Sequence, residues 1–154
     1  MQQSRRSVVR AGGALALFAA LGGALLRPGR ALAAWNKSAF EAKSAVDAMR
    51  ALGMANAEES KDIEIRAPDI AENGAVVPID ITSNIPGTTS ISVFLEKNPF
   101  PYTGTFDFAA GAMPFVHLRA KLGESTPVRV VVAAVGKFYT TAKEVKVTIG
   151  GCGG

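Results

Sequence analysis

The stretch Val128-Arg129-Val130-Val131-Val132-Ala133-Ala134-Val135-Gly136-Lys137-Phe138 decides the fold of this chain. Its first eight residues form a nearly continuous apolar run of the length of a buried strand. Gly136, between Val135 and Lys137, marks a hairpin, and a last strand is predicted from Phe138 to Ile149. The stretch therefore predicts two neighbouring antiparallel strands at the end of the chain.

Alternating apolar and polar residues predict further strands earlier in the chain. Ile63 and Ile65 alternate with Glu64 and Arg66, and a second strand contains Val76, Val77, Ile79 and Ile81, with turns at Asn73-Gly74 before it and Ile85-Pro86-Gly87 after it. Further strands are predicted at Ser90–Lys97, Thr105–Phe108 and Phe115–Leu122. Short strands separated by Pro and Gly, without helical crossovers, predict a mainly β fold, an antiparallel β-sandwich of immunoglobulin-like type.

An amphipathic helix is predicted ahead of the strands, from Trp35 to Gly53. Ser38 and Glu41 have the spacing of a capping box, and Gly53 suits the position just after a helix. The apolar stripe consists of Ala42, Ala45, Val46, Met49 and Leu52. We expect its Met and Phe40 to face the core or a partner, and a further helical turn near Asn56 to Lys61.

The first 33 residues have the pattern of a Tat export signal. A twin-arginine motif, Ser4-Arg5-Arg6-Ser7-Val8-Val9-Arg10, precedes an apolar run from Ala11 to Leu26 and a small-residue site at Ala31-Leu32-Ala33. A membrane anchor is the alternative, but the run is short for a span and contains four glycines. The pattern predicts a signal at 1–33 with cleavage after Ala33 or Ala34, a carrier domain of helix and sandwich at 34–149, an arm at 150–154, and a periplasmic mature protein.

Export changes the charge of the protein. Five of the 17 Lys and Arg residues precede Ala34 whereas all 13 acidic residues follow it, so the net charge changes from +4 to −1. No basic cluster remains that would favour nucleic acid.

The segment Gly150-Gly151-Cys152-Gly153-Gly154 places the single cysteine among four glycines. Glycine has no side chain to pack and loses the most backbone entropy on ordering, so we expect a mobile arm with a thiol near its tip. A prenylation box needs three residues after the cysteine, and a phosphate-binding glycine loop needs a following helix. An incidental cysteine in an unstructured tail remains an alternative. Activation at the Gly153-Gly154 carboxylate, as in ubiquitin-like sulfur carriers, requires ATP, which the periplasm does not supply.

The remaining residues do not assemble into a recognisable catalytic set. His117 is the only histidine and is expected at the surface, so neither a histidine metal cluster nor a Ser-His-Asp triad is predicted. Asp69, Glu72, Asp80 and Asp107 are expected as solvated acids near turns, and Asn98–Tyr102 as a sandwich corner or a partner contact. A free thiol has a pKa of about 8.5, so Cys152 alone is nearly inert at neutral pH. No catalytic residue, metal or cofactor is expected in this chain.

Three motifs together resemble those of the SoxY family, the carrier subunits of the thiosulfate-oxidising Sox system. They are the Tat signal, the segment from Ala67 to Pro78, and the terminal Val145–Gly154 with its arm. The resemblance implies that Cys152 is the covalent attachment point for sulfur intermediates and that Gly150, Gly151, Gly153 and Gly154 form its swivel.

The resemblance also implies partners. A second β-sandwich subunit, SoxZ, would form a heterodimer with this chain. The c-type cytochrome SoxAX would couple thiosulfate to Cys152, the manganese-dependent hydrolase SoxB would release sulfate, and the molybdenum sulfur dehydrogenase SoxCD would, where present, oxidise the remaining sulfur. A second class of function stays open from the residues alone, a periplasmic binding or scaffold module joined to a partner by a Cys152 disulfide.

Overall fold

Two β-sheets form the body of the structure, a computed structural model that describes residues 36–148. The predicted signal, Ile149 and the arm at 150–154 therefore lie outside the described residues, and the domain boundaries stay predictions. The strands are β1 Glu58–Glu59, β2 Ile63–Arg66, β3 Ile70–Ala71, β4 Val77–Ser83, β5 Thr88–Leu95, β6 Tyr102–Asp107, β7 Phe115–Ala120, β8 Thr126–Ala134 and β9 Lys137–Val147.

The larger sheet has the order β1-β9-β8-β5-β6, with β3 also paired to β9, and the smaller sheet has the order β2-β4-β7. Side chains from both sheets share one buried cluster, which includes Ile79 and Ile81 of β4 and Val93 and Val130 of the larger sheet. Burial of this apolar surface is the main force that holds the sheets together. The predicted mainly β sandwich is confirmed.

Strand β8 is apolar on both faces because both faces are covered. Val128, Val130 and Val132 point into the core between the sheets, whereas Val131 packs on the other side with Phe94 and Tyr102. The two helices cover this outer face and contribute Ala39, Ala45 and Ala48 to the second cluster. A strand buried on both faces has apolar residues at consecutive positions, which explains the run from Val130 to Val132.

The predicted single helix is wrong, because the segment forms two helices, α1 Lys37–Glu41 and α2 Ala45–Ala51. Ser38 is not a cap: Asn36 caps α1 and Ser44 caps α2, each accepting a hydrogen bond from a backbone N–H three residues on. Ala39 and Ala45 are six positions apart, so on a continuous helix their side chains would point about 120° away from each other. A break between them lets both side chains face the sheet.

Gly53 occupies the predicted position after the second helix. Its φ is +73°, its N–H donates to the Arg50 carbonyl, and the N–H of Met54 donates to the Met49 carbonyl. This is the hydrogen-bond pattern of a Schellman motif, in which the left-handed backbone favours glycine. The side chain of Asn36 donates to the Ala51 carbonyl at 2.9 Å and so joins the two helices.

Two short strands depart from the predicted pattern. The expected helical turn near Asn56 to Lys61 is wrong, since Glu58 and Glu59 form β1. Both β1 and β3 pair with the same edge of β9, and both pairings are parallel, whereas all other pairings are antiparallel among the described strands. The two strands cover part of an edge that would otherwise present unpaired backbone groups.

The β8–β9 hairpin turns at Val135 and Gly136, as predicted. Both residues have positive φ, +50° and +73°, which matches the twist of a two-residue hairpin loop. Val135 is 80% exposed and lies at the opposite end of these strands from Thr126 and Val147. Over residues 36–148, neither helix reaches the length and apolarity that a membrane crossing requires.

Candidate functional site at the root of the arm

The predicted functional residues Cys152, Gly150, Gly151, Gly153 and Gly154 lie outside the described residues. The structure describes the polypeptide that carries them up to Thr148, directly after β9. We call residues 145–148 the arm root. Its geometry determines where the arm leaves the sandwich.

The backbone of the arm root is hydrogen-bonded on alternating sides. The N–H of Lys146 donates to the Asp69 carbonyl at 2.9 Å, and the N–H of Thr148 donates to the Ala71 carbonyl at 3.1 Å. Between them, the N–H of Val147 points the other way and donates to Ser125 Oγ at 2.9 Å. Three successive backbone donors are thus satisfied, and this fixes the direction of the chain at Thr148.

Residues 67–76, which we call the strap, lie along one side of the arm root and contain β3. Lys143 of β9 holds its first part: the Nζ atom donates to the Ala67 carbonyl at 2.8 Å and lies 3.0 Å from an Asp69 carboxylate oxygen. The Lys143 side chain is only 32% exposed, whereas Asp69 is 88% exposed. The bond to the carbonyl is therefore the firmer of the two, because exposed ion pairs contribute little.

Gly74, near the end of the strap, packs closely against Leu122 and Val147. Its carbonyl accepts a hydrogen bond from the Leu122 N–H at 2.7 Å. A Cβ atom at position 74 would lie 2.6 Å from the Leu122 carbonyl oxygen and 2.8 Å from Val147 Cγ1. Only glycine lets the strap approach this closely without moving the arm root.

Two apolar side chains of the strap are exposed. Ile70, in register with Lys146, is 58% exposed, and Val76, at the end of the strap, is 54% exposed. Their sequence neighbours Ala71 and Val77 are buried in the main core. Alternation along β3 therefore directs Ile70 towards solvent, and Val76, which precedes β4, is exposed beside the buried Val77.

The other polar candidates are separate from this root. His117 is exposed as predicted, and its Nδ1 lies 2.5 Å from Asp80 Oδ1 across the β4–β7 pair. Asp80 therefore lies within a strand and not near a turn, which corrects that expectation. Within residues 36–148 no group of three His, Cys, Asp or Glu side chains is placed to hold a metal ion.

The segment from Asn98 to Tyr102 forms a corner between β5 and β6. The Leu95 N–H donates to the Pro101 carbonyl at 2.8 Å, and the Lys43 ammonium lies 3.5 Å from the centre of the Phe100 ring. The segment is thus joined to the helical part of the protein, and a partner contact there stays a prediction.

Sequence reasoning missed the residues that hold the arm root. Ser125 and Lys143 carry no motif, since their roles depend on which strands become neighbours. The Asn73-Gly74 turn signal located the end of the strap, but not its contact with Val147. The segment Ala67–Pro78 and the terminal segment, which are 67 or more residues apart in sequence, meet only in the folded structure.

The fold and the sequence that follows it define the class: a β-sandwich protein with a single cysteine a few residues after its last described strand. The family model of the sulfur oxidation protein SoxY matches residues 48–152, a range that includes the strap, the arm root and Cys152. The chain belongs to the SoxY family.

Solved structures agree with this assignment. The sulfur carrier protein SoxY from Chlorobium limicola f thiosulfatophilum is 41% identical with a TM-score of 0.64, over 73% of this chain and 99% of that chain. The superoxide reductase (neelaredoxin) from Ignicoccus hospitalis is 19% identical with a TM-score of 0.50, over 56% of this chain and 80% of that chain, which is a likeness of fold alone. No curated protein sequence matched the chain.

Proposed function

We propose that this chain is a covalent carrier of sulfur intermediates in thiosulfate oxidation, with the thiol of Cys152 as the attachment point. The observation that carries the proposal is the arm root. Three consecutive backbone donors are bonded up to Thr148, and the single cysteine of the chain follows four residues later. A thiol on a short glycine segment with a rigid base suits a group that is presented to other proteins.

The loading step joins two sulfur atoms by oxidation. The Cys152 thiol and thiosulfate form Cys–S–S–SO₃⁻, releasing one proton and two electrons, and the electrons pass to a c-type cytochrome of the SoxAX kind. Hydrolysis by an enzyme of the SoxB kind then consumes one water, releases sulfate and a proton, and leaves the persulfide Cys–S–SH. The intermediate stays bound to the same chain throughout.

A sulfur dehydrogenase of the SoxCD kind oxidises the persulfide further. With three waters it yields Cys–S–SO₃⁻, six electrons and seven protons, and a second hydrolysis releases sulfate and restores the thiol. Each step uses the catalytic groups of a partner enzyme. The polar side chains at the arm root support this division, because Ser125 and Lys143 are engaged in hydrogen bonds to the backbone.

The proposal also covers the cellular compartment of the protein and its permanent partner. The twin-arginine segment favours export to the periplasm, and a SoxZ-like β-sandwich subunit is the proposed permanent partner. A carrier that meets several enzymes needs its arm to leave from a face that the permanent partner does not cover.

Mass spectrometry of the protein from thiosulfate-grown cells tests the proposal. A carrier predicts adducts of thiosulfate, sulfane sulfur or sulfonate on Cys152. The scaffold alternative predicts a disulfide between Cys152 and a partner cysteine, with no sulfur adduct in thiosulfate-grown cells. Cys152 found only as unmodified thiol or partner disulfide during active thiosulfate oxidation would refute the carrier role.

A further inference from the structure

The end of the sandwich opposite the arm root is formed by loops that carry no charged residue. They are the β4–β5 turn at 84–87, the β6–β7 loop at 108–114 and the β8–β9 turn at 135–136. The loops at the arm end, by contrast, contain Asp69, Glu72, Lys97, Lys121 and Glu124. The two ends of the sandwich therefore present different surfaces to the solvent.

A cleft of about 650 Å³ opens at this uncharged end, between the β4–β5 turn and the β6–β7 loop. Its volume lies within the range of small-molecule sites in proteins. Ile85 and Phe108, which are half-buried against the main core, belong to its lining. The rest of the walls includes Pro86 and Gly87 on one side and residues 109–112, three alanines and a glycine, on the other. Side chains this small leave the space between the loops open.

The lining contains no charged side chain, and its hydroxyl groups are bonded within the protein. Ser83 Oγ lies 2.7 Å from Thr88 Oγ1, which donates to the Ile85 carbonyl at 2.7 Å. The Thr89 hydroxyl donates to a carbonyl of β8 at 3.2 Å. The remaining polar side chain of the lining is the uncharged amide of Asn84. An ionised ligand would lose hydration in this cleft without gaining a charged partner.

The walls of the cleft are fixed to each other. The Phe108 N–H donates to the Thr89 carbonyl at 2.9 Å, and the Ser83 N–H donates to the Pro114 carbonyl at 3.0 Å. The β6–β7 loop is thus anchored at both of its ends to the strands of the facing wall. A preformed cleft needs little ordering when a ligand binds.

Exposed apolar side chains lie beside both walls. Met113, between the lining residues Ala112 and Pro114, is 76% exposed. Val135 is 80% exposed and lies beside Gly87, where a Cβ would be 3.0 Å from Val135 Cγ2. The φ of Val135 is +50°, a conformation that β-branched residues rarely adopt. Glycine would relieve this strain, so the valine favours a contact made by its side chain.

We propose that this cleft binds an uncharged, mainly apolar small molecule that contains a ring. The ring contacts Ile85 and Phe108, and the flexible thioether of Met113 adapts to its edge. A single hydroxyl or carbonyl group on the ligand pairs with the Asn84 amide. A recess with fixed walls suits a compact ligand better than a bilayer surface. The site uses no residue of the arm or the arm root, so it does not depend on the carrier function.

Two matched probes test the charge requirement in the full mature protein, isolated with any subunit that accompanies it. They are 2-naphthalenemethanol, which is uncharged, and 2-naphthoate, which has the same rings and a negative charge at neutral pH. Chemical shifts of the backbone amides report both affinity and position. We expect one molecule of the alcohol per chain, with shifts at Gly87 and Gly111 and none at Gly53. The naphthoate should bind at least about tenfold more weakly.

Matched variants test the position of the site. Ala110→Asp places a charge in the lining, and Ala110→Asn has the same size without the charge. We expect the first to weaken binding of the alcohol at least about tenfold and the second less than about threefold. Val46→Asp is the control, since it places the same charge at a 61% exposed apolar position on α2, and it should keep the wild-type affinity.

Equal affinity for the two probes would overturn the proposal, as would the absence of saturable binding of the alcohol to the folded wild-type protein. Loss of binding in Val46→Asp would also overturn it, because the probe would then occupy the helical part of the protein. Sedimentation tests the other occupants of this end. Self-association, or binding to phosphatidylcholine vesicles, that Ala110→Asp abolishes would assign the surface to a second copy of the chain or to a membrane and overturn the small-molecule site.

Discussion

The Ser125 hydroxyl accepts a 2.9 Å hydrogen bond from the Val147 N–H, just beyond the end of the β8–β9 ladder. The regular ladder ends at the pair Thr126 and Val145. A side chain therefore replaces the missing strand partner and keeps the last residue of β9 fixed. Because of this contact and those of the strap, the hydrogen-bonded part of the chain extends to Thr148, four residues before Cys152 in sequence.

Replacement of Ser125 by Ala should weaken the arm root. Loss of the hydrogen bond is expected to lower the free energy of unfolding by about 0.5–1.5 kcal/mol. Amide hydrogen exchange should accelerate at Val147 more than at Val130 in the middle of the sheet. Ser60→Ala is the control, since that hydroxyl accepts a bond from the Asp62 N–H in an exposed turn. Unchanged protection at Val147 would show that the hydroxyl does not hold the root.

Gly74→Ala should destabilise the protein by about 1–3 kcal/mol in denaturant unfolding. The new Cβ would lie 2.6 Å from the Leu122 carbonyl and 2.8 Å from Val147 Cγ1, so the strap or the arm root must move. Gly123→Ala, at the same end of the sandwich, is a matched control because its Cβ meets only Asn98 Oδ1 at 4.0 Å. Equal stability of the two variants would contradict the proposed close approach.

Cys152→Ser should abolish thiosulfate-dependent electron transfer and leave the unfolding transition unchanged. The oxygen nucleophile cannot form the disulfide-type bond to thiosulfate, and position 152 lies beyond the last strand of the sandwich. Cytochrome reduction with purified partner proteins measures the first effect and thermal unfolding the second. Thiosulfate oxidation at the wild-type rate by this variant would refute the attachment site.

Replacing both Gly150 and Gly151 by Val should slow turnover with every processing enzyme. The side chains widen the arm, and β-branched residues largely exclude the positive φ values that glycine adopts freely. Titration of Cys152 with a small thiol reagent should match wild type, which separates access to the enzymes from chemistry at the sulfur. Loading and unloading at wild-type rates would show that a thin, bendable arm is not the role of these glycines.

Asp47→Asn should lower the melting temperature at pH 7 but not at very acidic pH. The Ser44 hydroxyl and then the Arg50 guanidinium, which both donate hydrogen bonds to Asp47, hold the pKa of this carboxyl below its ordinary value of 3.8. A depressed folded-state pKa stabilises the protein above pH 3.8, and this contribution is lost as the pH falls through the lower folded-state value. A difference between the melting curves that persists at the acid end would assign the effect to helix capping geometry and not to charge.

Local sequence patterns correctly predicted those parts of the fold that depend on residues close together in the chain. The valine run of β8, the turn at Gly136, the alternation in β2 and the position of Gly53 were all predicted correctly. The prediction of a single helix was wrong, because the apolar positions belong to two short helices. Packing against the sheet sets the direction of each helix. The two-residue strands β1 and β3 were missed, since so short a segment has no period to detect.

The sequence by itself determined the sandwich class, the family and the residue on which the proposed chemistry depends, because hydrophobic period, turn residues and a lone cysteine among glycines are local properties of the chain. Only the tertiary structure decided how the arm is mounted. Ser125 and Gly74 contact Val147 of β9 from positions distant in sequence, and Lys143 of β9 binds the carbonyl of Ala67 in the strap. Ile70 becomes a neighbour of Lys146 only through a parallel pairing. Such contacts follow from the packing of whole sheets, which no local pattern encodes.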